Sequence, residues 1–207
     1  MVPLDSALAF FGVSLLLGLS PGPDNVFVLM QSATLGRRAG WLVTLGLCTG
    51  LLAHTAAVAL GLAAVLAASP LAFTVLKLAG AAYLIYLAWG AWRAPVSALT
   101  GDTTAGSGWR MYTRGVVMNL TNPKVGIFFL AFMPQFVKPE SGPVPLQVVQ
   151  LGGLFVLATL LVFGGYAWFA SLIGSWLRNS PRAQRALNRA ASVVFVGLAV
   201  RLVWVQS

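Results

Sequence analysis

Residues 4–30 read LDSALAFFGVSLLLGLSPGPDNVFVLM, an apolar run interrupted by Ser20-Pro21-Gly22-Pro23-Asp24-Asn25. A bilayer core about 30 Å thick takes roughly 20 apolar residues of helix, so the run is long enough to span one. Pro21 and Pro23 lack the N–H groups that the carbonyls of Leu17 and Leu19 would otherwise accept. Gly22 between them lets the backbone unwind. In hydrocarbon, carbonyls freed in this way are tolerated only where protein or water covers them. No Lys or Arg precedes the run and no small-residue cleavage site follows it, so it reads as a retained first helix rather than a leader.

The rest of the chain has the same character. Of its 207 residues 58% are hydrophobic and 8% charged, with a mean hydropathy of +0.86. Soluble domains carry about a quarter charged residues, so this chain lacks the polar side chains to cover a water-facing surface. The net charge of +9 would suggest nucleic acid in a soluble protein. Here the basic residues recur in short clusters between apolar runs, which excludes a nucleic-acid interface and fits cytoplasmic loops. One cysteine, Cys48, allows no intrachain disulfide, and a lone histidine, His54, leaves no Cys/His metal set. No cofactor is called for.

Six stretches have the length of a span: Leu4 to Met30, Trp41 to Ala67, Leu71 to Trp92, Gly115 to Val137, Val148 to Trp176, and Ala190 to Val205. The first, third and fifth connections hold nine Lys and Arg, among them Arg37, Arg38, Arg93, Arg110, Arg114 and the Arg178–Arg189 segment, whereas the second and fourth hold only Lys138. This bias puts the odd connections in the cytoplasm and both termini outside. The expectation is an all-α integral membrane protein of six transmembrane helices forming one membrane domain, 1–207. Repeat one covers about 1–95, a Thr/Gly/Ser-rich linker about 96–108, and repeat two about 109–207.

The second half carries its own break. Asn119-Leu120-Thr121-Asn122-Pro123-Lys124 interrupts the fourth span where Ser20 to Asn25 interrupts the first. With three spans per half, the halves lie upside down relative to each other, and inverted repeats with paired broken helices 1 and 4 are a transporter signature. Asp24 precedes Arg37 by 13 residues and Lys124 follows Arg114 by 10. These intervals are about 20 Å and about 15 Å of helix, so both charges lie near the bilayer middle. A pseudo-twofold axis would bring them together. Ser20 is placed to cap the helix that restarts after the break. A small zwitterion fits such a site, its carboxylate at the new helix N-terminus and its ammonium at freed carbonyls or Asp24. The bland reading is a pair of packing kinks clamped by a static charge pair; two breaks, two charges and inverted topology together favour function.

The runs at 20–25, Gly36-Arg37-Arg38-Ala39-Gly40, Lys77-Leu78-Ala79-Gly80-Ala81-Ala82-Tyr83-Leu84, and Asn122-Pro123-Lys124 followed by Phe128 to Phe136 resemble the LysE/RhtB amino-acid exporters over essentially the whole chain. The resemblance implies efflux of an amino acid or derivative through the bacterial inner membrane, driven by the proton-motive force. It also implies that Pro21 to Asp24 and Asn122 to Lys124 surround the transport site. The substrate-binding candidates are therefore Ser20, Pro21, Gly22, Pro23, Asp24, Asn25, Asn119, Asn122, Pro123 and Lys124. Asp24 is the better proton-coupling candidate. His54, in the outer half of span two, is the second, against the commoner role of a hydrogen-bonded core histidine.

Gly46 and Gly50 form a small-xxx-small pair that reads first as intrachain packing, with a homodimer seam as the alternative. Most of the tryptophans, including Trp89, Trp92, Trp109 and Trp176, fall near span ends, as interfacial anchors in lipid do. Three other classes fare worse. A membrane-embedded enzyme lacks a catalytic set, because Asp24 is the one acid away from ends and loops. A hard-cation transporter wants several carboxylates and a soft-cation one wants thiolates. A structural scaffold needs no irregularity at mid-depth.

Overall fold

A computed structural model describes residues 1–20, 22–68, 70–93 and 107–204. Pro21, Ser69, the linker as far as residue 106 and the end of the sixth span from Val205 lie outside the described residues. Every regular element among the described residues is helical. These are α1 Leu4–Leu19, α2 Pro23–Leu35, α3 Arg37–Ala68, α4 Pro70–Arg93, α5 Gly108–Leu120, α6 Pro123–Ile127, α7 Val144–Asn179 and α8 Pro181–Trp204. Segments of α3 (Arg37–Gly61) and α7 (Val144–Ala170) are long and apolar enough to cross a membrane, and four such spans result if each bent pair counts as one.

The bends lie where the sequence interrupts itself. α1 and α2 meet at 63°, and α5 meets the segment Pro123–Phe136 at 50°. α2 and α6 each begin with proline at their first position, where its missing N–H costs nothing. α2 runs regularly to Gly36, whose φ of +87° is open to glycine and costly for other residues. After the second break the helix does not stay regular. Residues Phe128–Phe132 widen into a π-turn, closed by the Met133 amide on the Phe128 carbonyl, and Met133–Phe136 tighten into 3₁₀. Pro134 explains the change, because it cannot donate to the carbonyl of Leu130.

α3 is central, packed on α5 and α7; α4 pairs with α8; α1 and α2 lie on α7. The α3–α5 approach is backbone on backbone: a Cβ at Gly46 would strike the Tyr112 carbonyl, and one at Gly115 the Val43 carbonyl. At Gly50 it would meet the Asn119 side chain. The small-xxx-small pair is thus spent within the chain. Phe10, Phe128, Phe132, Phe136 and Phe155 form the aromatic centre of the core, with ring centroids 5.0–6.3 Å apart. Outward-facing side chains are equally apolar: Leu60 is 82% exposed and Trp204 81%. A surface so apolar requires lipid rather than water.

Two connections differ from the sequence reading. Arg37 and Arg38 are not a loop but the first turn of α3. The Arg178–Arg189 segment is also largely helix, with only Ser180 between α7 and α8. Hydropathy marks the part of a helix inside lipid, whereas Arg, Ala, Gln and Leu are good helix formers that carry α8 beyond it. The arginines at this end find aromatic faces: Arg37 over Trp168 at 4.5 Å, Arg93 over Trp89 at 4.1 Å and Arg189 over Trp92 at 5.4 Å. The Met1 ammonium instead bonds the Ser141 carbonyl at 2.6 Å, which ties the amino terminus to the fourth connection.

Candidate functional site

The two breaks interlock. The Lys124 ammonium, on the first turn of α6, donates to the Leu17 carbonyl and the Ser20 carbonyl, both at 3.2 Å. Leu17 is a residue whose carbonyl Pro21 leaves without its helical donor. The cation of the second break therefore fills the carbonyls opened by the first. In the opposite sense, Asn122 Nδ2 donates to Asp24 Oδ2 at 2.8 Å. The same Asn122 side chain caps α6, its Oδ1 accepting the Lys124 amide at 3.0 Å. Asp24 and Lys124 each follow the proline that starts their helix, yet each is bonded to the other break rather than to its counterpart.

Asn25 Nδ2 donates to the Gly18 carbonyl at 2.6 Å and to the Tyr166 hydroxyl at 3.3 Å. Ser20 does not cap α2, contrary to the sequence expectation. The helix restarts at Pro23 with Gly22 as its N-cap, two residues beyond Ser20, and no side chain caps it. Ser20 is instead the C-cap of α1. Four buried oxygens at the breaks meet no donor: Ser20 Oγ, Asp24 Oδ1, Asn25 Oδ1 and Asn119 Oδ1. Leaving such acceptors unmatched costs about 1–3 kcal/mol each, so the cluster suits a ligand rich in N–H donors.

Two cavities meet at Lys124. The inner one, about 20 Å³, is lined by Asp24, Asn119, Lys124, Leu47, Phe155 and Thr159 among others, and it is the size of one water. The outer one, about 500 Å³, lies between the breaks and the α4–α8 pair and touches Gly22, Asn122 and Lys124. Asp24, Asn119 and Lys124 thus share one cavity, and Gly22, Pro23, Asn122, Pro123 and Lys124 line the other. Pro21 lies outside the described residues. His54 stands one layer away, its Nε2 3.4 Å from the Asn119 carbonyl and its ring 5.6 Å from that of Phe129. Among the described residues no group of three or more His, Cys, Asp and Glu is placed to hold a metal.

The sequence reading missed Thr159 and Tyr166 on α7 and Tyr83, Tyr86 and Asn188 on α4 and α8. Thr159 and Tyr166 did carry a signal, as polar groups well inside an apolar span. Tyr83 stands in one of the runs that carry the family resemblance, but nothing there gave it a place at the site. Tyr86 and Asn188 carried no signal, because their place depends on how α4 and α8 pair.

A family model of LysE type translocators matches residues 9–206. The chain is 38% identical over 190 residues to the homoserine/homoserine lactone efflux protein of Salmonella typhimurium, covering 91% of each chain. It is 37% identical to the protein of the same name from Salmonella typhi, with the same coverage. It is 33% identical to an uncharacterized membrane protein of Vibrio cholerae over 94% of this chain and 95% of that one. No solved structure matches.

Proposed function

The chain belongs to the LysE type translocator family, a multi-pass membrane transporter rather than an enzyme, and from that premise we propose that it exports an amino acid or amino-acid derivative at the joined breaks. The relatives named as homoserine and homoserine lactone efflux proteins support the substrate class and the direction. The observation that carries the mechanism is the bonding of Lys124 to the Leu17 and Ser20 carbonyls beside an Asp24 oxygen with no donor. Lys124 occupies the position a substrate ammonium would take. A substrate carboxylate draws Lys124 off those carbonyls, while the substrate ammonium bonds Asp24 Oδ1 and the carbonyls left behind.

Six spans in two inverted halves, working by alternating access in the bacterial inner membrane, complete the reading. The pairings of α3 with α7 and α4 with α8 support it, since each joins equivalent spans of the two halves. Both termini lie outside, and the arginine-bearing ends face the cytoplasm. Coupling is proton antiport, with Asp24 carrying the proton and His54 a second carrier. Competition between proton and substrate ammonium for one carboxylate gives the exchange its stoichiometric link.

The test is efflux from cells loaded with homoserine. Asp24→Asn keeps the side chain's shape and removes its charge. It is expected to reduce efflux about tenfold or more, with the protein still inserted, as loss of a charge-assisted bond does. Undiminished efflux by this variant refutes the role of the carboxylate. Topology has a separate check: a cysteine at Asn179 should resist a membrane-impermeant thiol reagent added outside.

A further inference from the structure

The outer cavity is larger and more apolar than a zwitterion's head group requires. At about 500 Å³ it falls in the range of pockets that bury drug-sized ligands, ~300–1,000 Å³. Its walls away from the breaks are Tyr83, Tyr86, Leu87 and Gly90 of α4, with Asn188 and Phe195 of α8. Phe195 is buried, Tyr83 and Leu87 half-buried, and the Tyr86 side chain is exposed. Among the described residues Lys124 is the one charged side chain that lines it; Asp24 faces the inner cavity instead.

This division assigns different parts of a substrate to different walls. Among the described residues an ammonium finds its carboxylate on the Asp24 side, and an anionic or carbonyl group finds Lys124 at the junction. What remains of the molecule is left among aromatic rings. We propose that the chamber between the breaks, α4 and α8 is the side-chain compartment of the transport site. Its occupants are amino acids whose side chains are apolar and as large as an aromatic ring. This inference rests on the exporter reading above and deepens it, because it states which amino acids the site admits. The α4 stripe Tyr83, Tyr86, Leu87 and Gly90 sets the size limit, and Gly90 is its most open point: a Cβ built there meets nothing within 4 Å.

That open point makes the test practicable, since a larger residue at 90 grows into space rather than into a neighbour. Efflux of phenylalanine and of homoserine is measured side by side from loaded cells for the wild type, Gly90→Phe and Tyr86→Ala, with insertion checked by immunoblot. The wild type is expected to export both solutes. Gly90→Phe should lower the phenylalanine-to-homoserine ratio about tenfold or more, the scale on which apolar pockets discriminate by bulk. Tyr86→Ala should move the ratio the other way for tryptophan against homoserine. A wild type that exports homoserine but not phenylalanine, or ratios unmoved in both variants, overturns the chamber assignment and leaves the exporter reading standing. A wild type that exports neither defeats both.

Discussion

The break before α2 and the break before α6 start from the same chemistry and arrive at different structures. Both put proline at the first helical position and a charged residue next to it. The second break closes on itself, because Asn122 caps α6 through its own side chain. The first has Gly22 at the equivalent place, with no side-chain cap, and borrows its partners from the second: Lys124 for its carbonyls and Asn122 for its carboxylate. Beyond the breaks the contrast reverses. α2 is regular and lined with buried polar groups such as Asp24, Asn25 and Ser32, whereas the segment after α6 unwinds through π and 3₁₀ turns among phenylalanines. One break therefore continues into a regular helix that carries buried polar groups, and the other into an irregular apolar segment packed in the core, a departure from the α-helix that often accompanies function.

If the first break depends on the second, variants of the second should do more damage. Lys124→Met should be worst. It strands the Leu17 and Ser20 carbonyls and removes a cation from the junction, so efflux should fall about 100-fold and the detergent-solubilised protein should lose about 2 kcal/mol or more in thermal unfolding. Wild-type stability in that variant would sever the dependence of one break on the other. Asn122→Asp comes next. It keeps an oxygen to cap α6 but sets a second carboxylate against Asp24, so export should drop about tenfold while Asn122→Ala alone adds the loss of the cap, about 0.5–2 kcal/mol. Gly22→Ala should be milder. Its φ of −167° is extended backbone open to any residue, but the new Cβ would lie 3.3 Å from Lys124 Nζ. A flexible lysine end can give way, so transport should slow a few-fold with folding intact, read from initial efflux rates. Ser20→Ala should do no damage: its hydroxyl has no partner to lose, and removing that unmatched buried oxygen should raise stability, by about 1 kcal/mol in thermal unfolding.

Sequence alone made the breaks legible because proline, glycine and a charge inside an apolar run contradict their surroundings at a single place. Asp24 and Lys124 stood out for the same reason, and counting helix rise from the arginines put them at a common depth. What it could not supply was the crossing of partners. That Lys124 would satisfy Leu17, or that Asn122 would divide its two ends between α6 and Asp24, depends on inter-helix distances that no local pattern records. The capping role expected of Ser20 failed for a local reason, since the helix restarts two residues later than a serine cap requires. The π-turn at Phe128–Phe132 was also hidden, although Pro134 announces some disturbance one turn ahead. Tyr83, Tyr86 and Asn188 look like ordinary interfacial residues until α4 and α8 are paired.

The water-sized inner cavity has a consequence for the membrane in which the protein sits. One of its walls is Phe155, whose ring packs with those of Phe10 and Phe128 in a single aromatic cluster. Packed rings offer water no hydrogen bonds, so among the described residues this cluster is a poor place for a file of waters to form. In the exporter proposed above, such a cluster would keep ions and protons from draining through idle copies, so that a cell could hold many of them without short-circuiting its own battery.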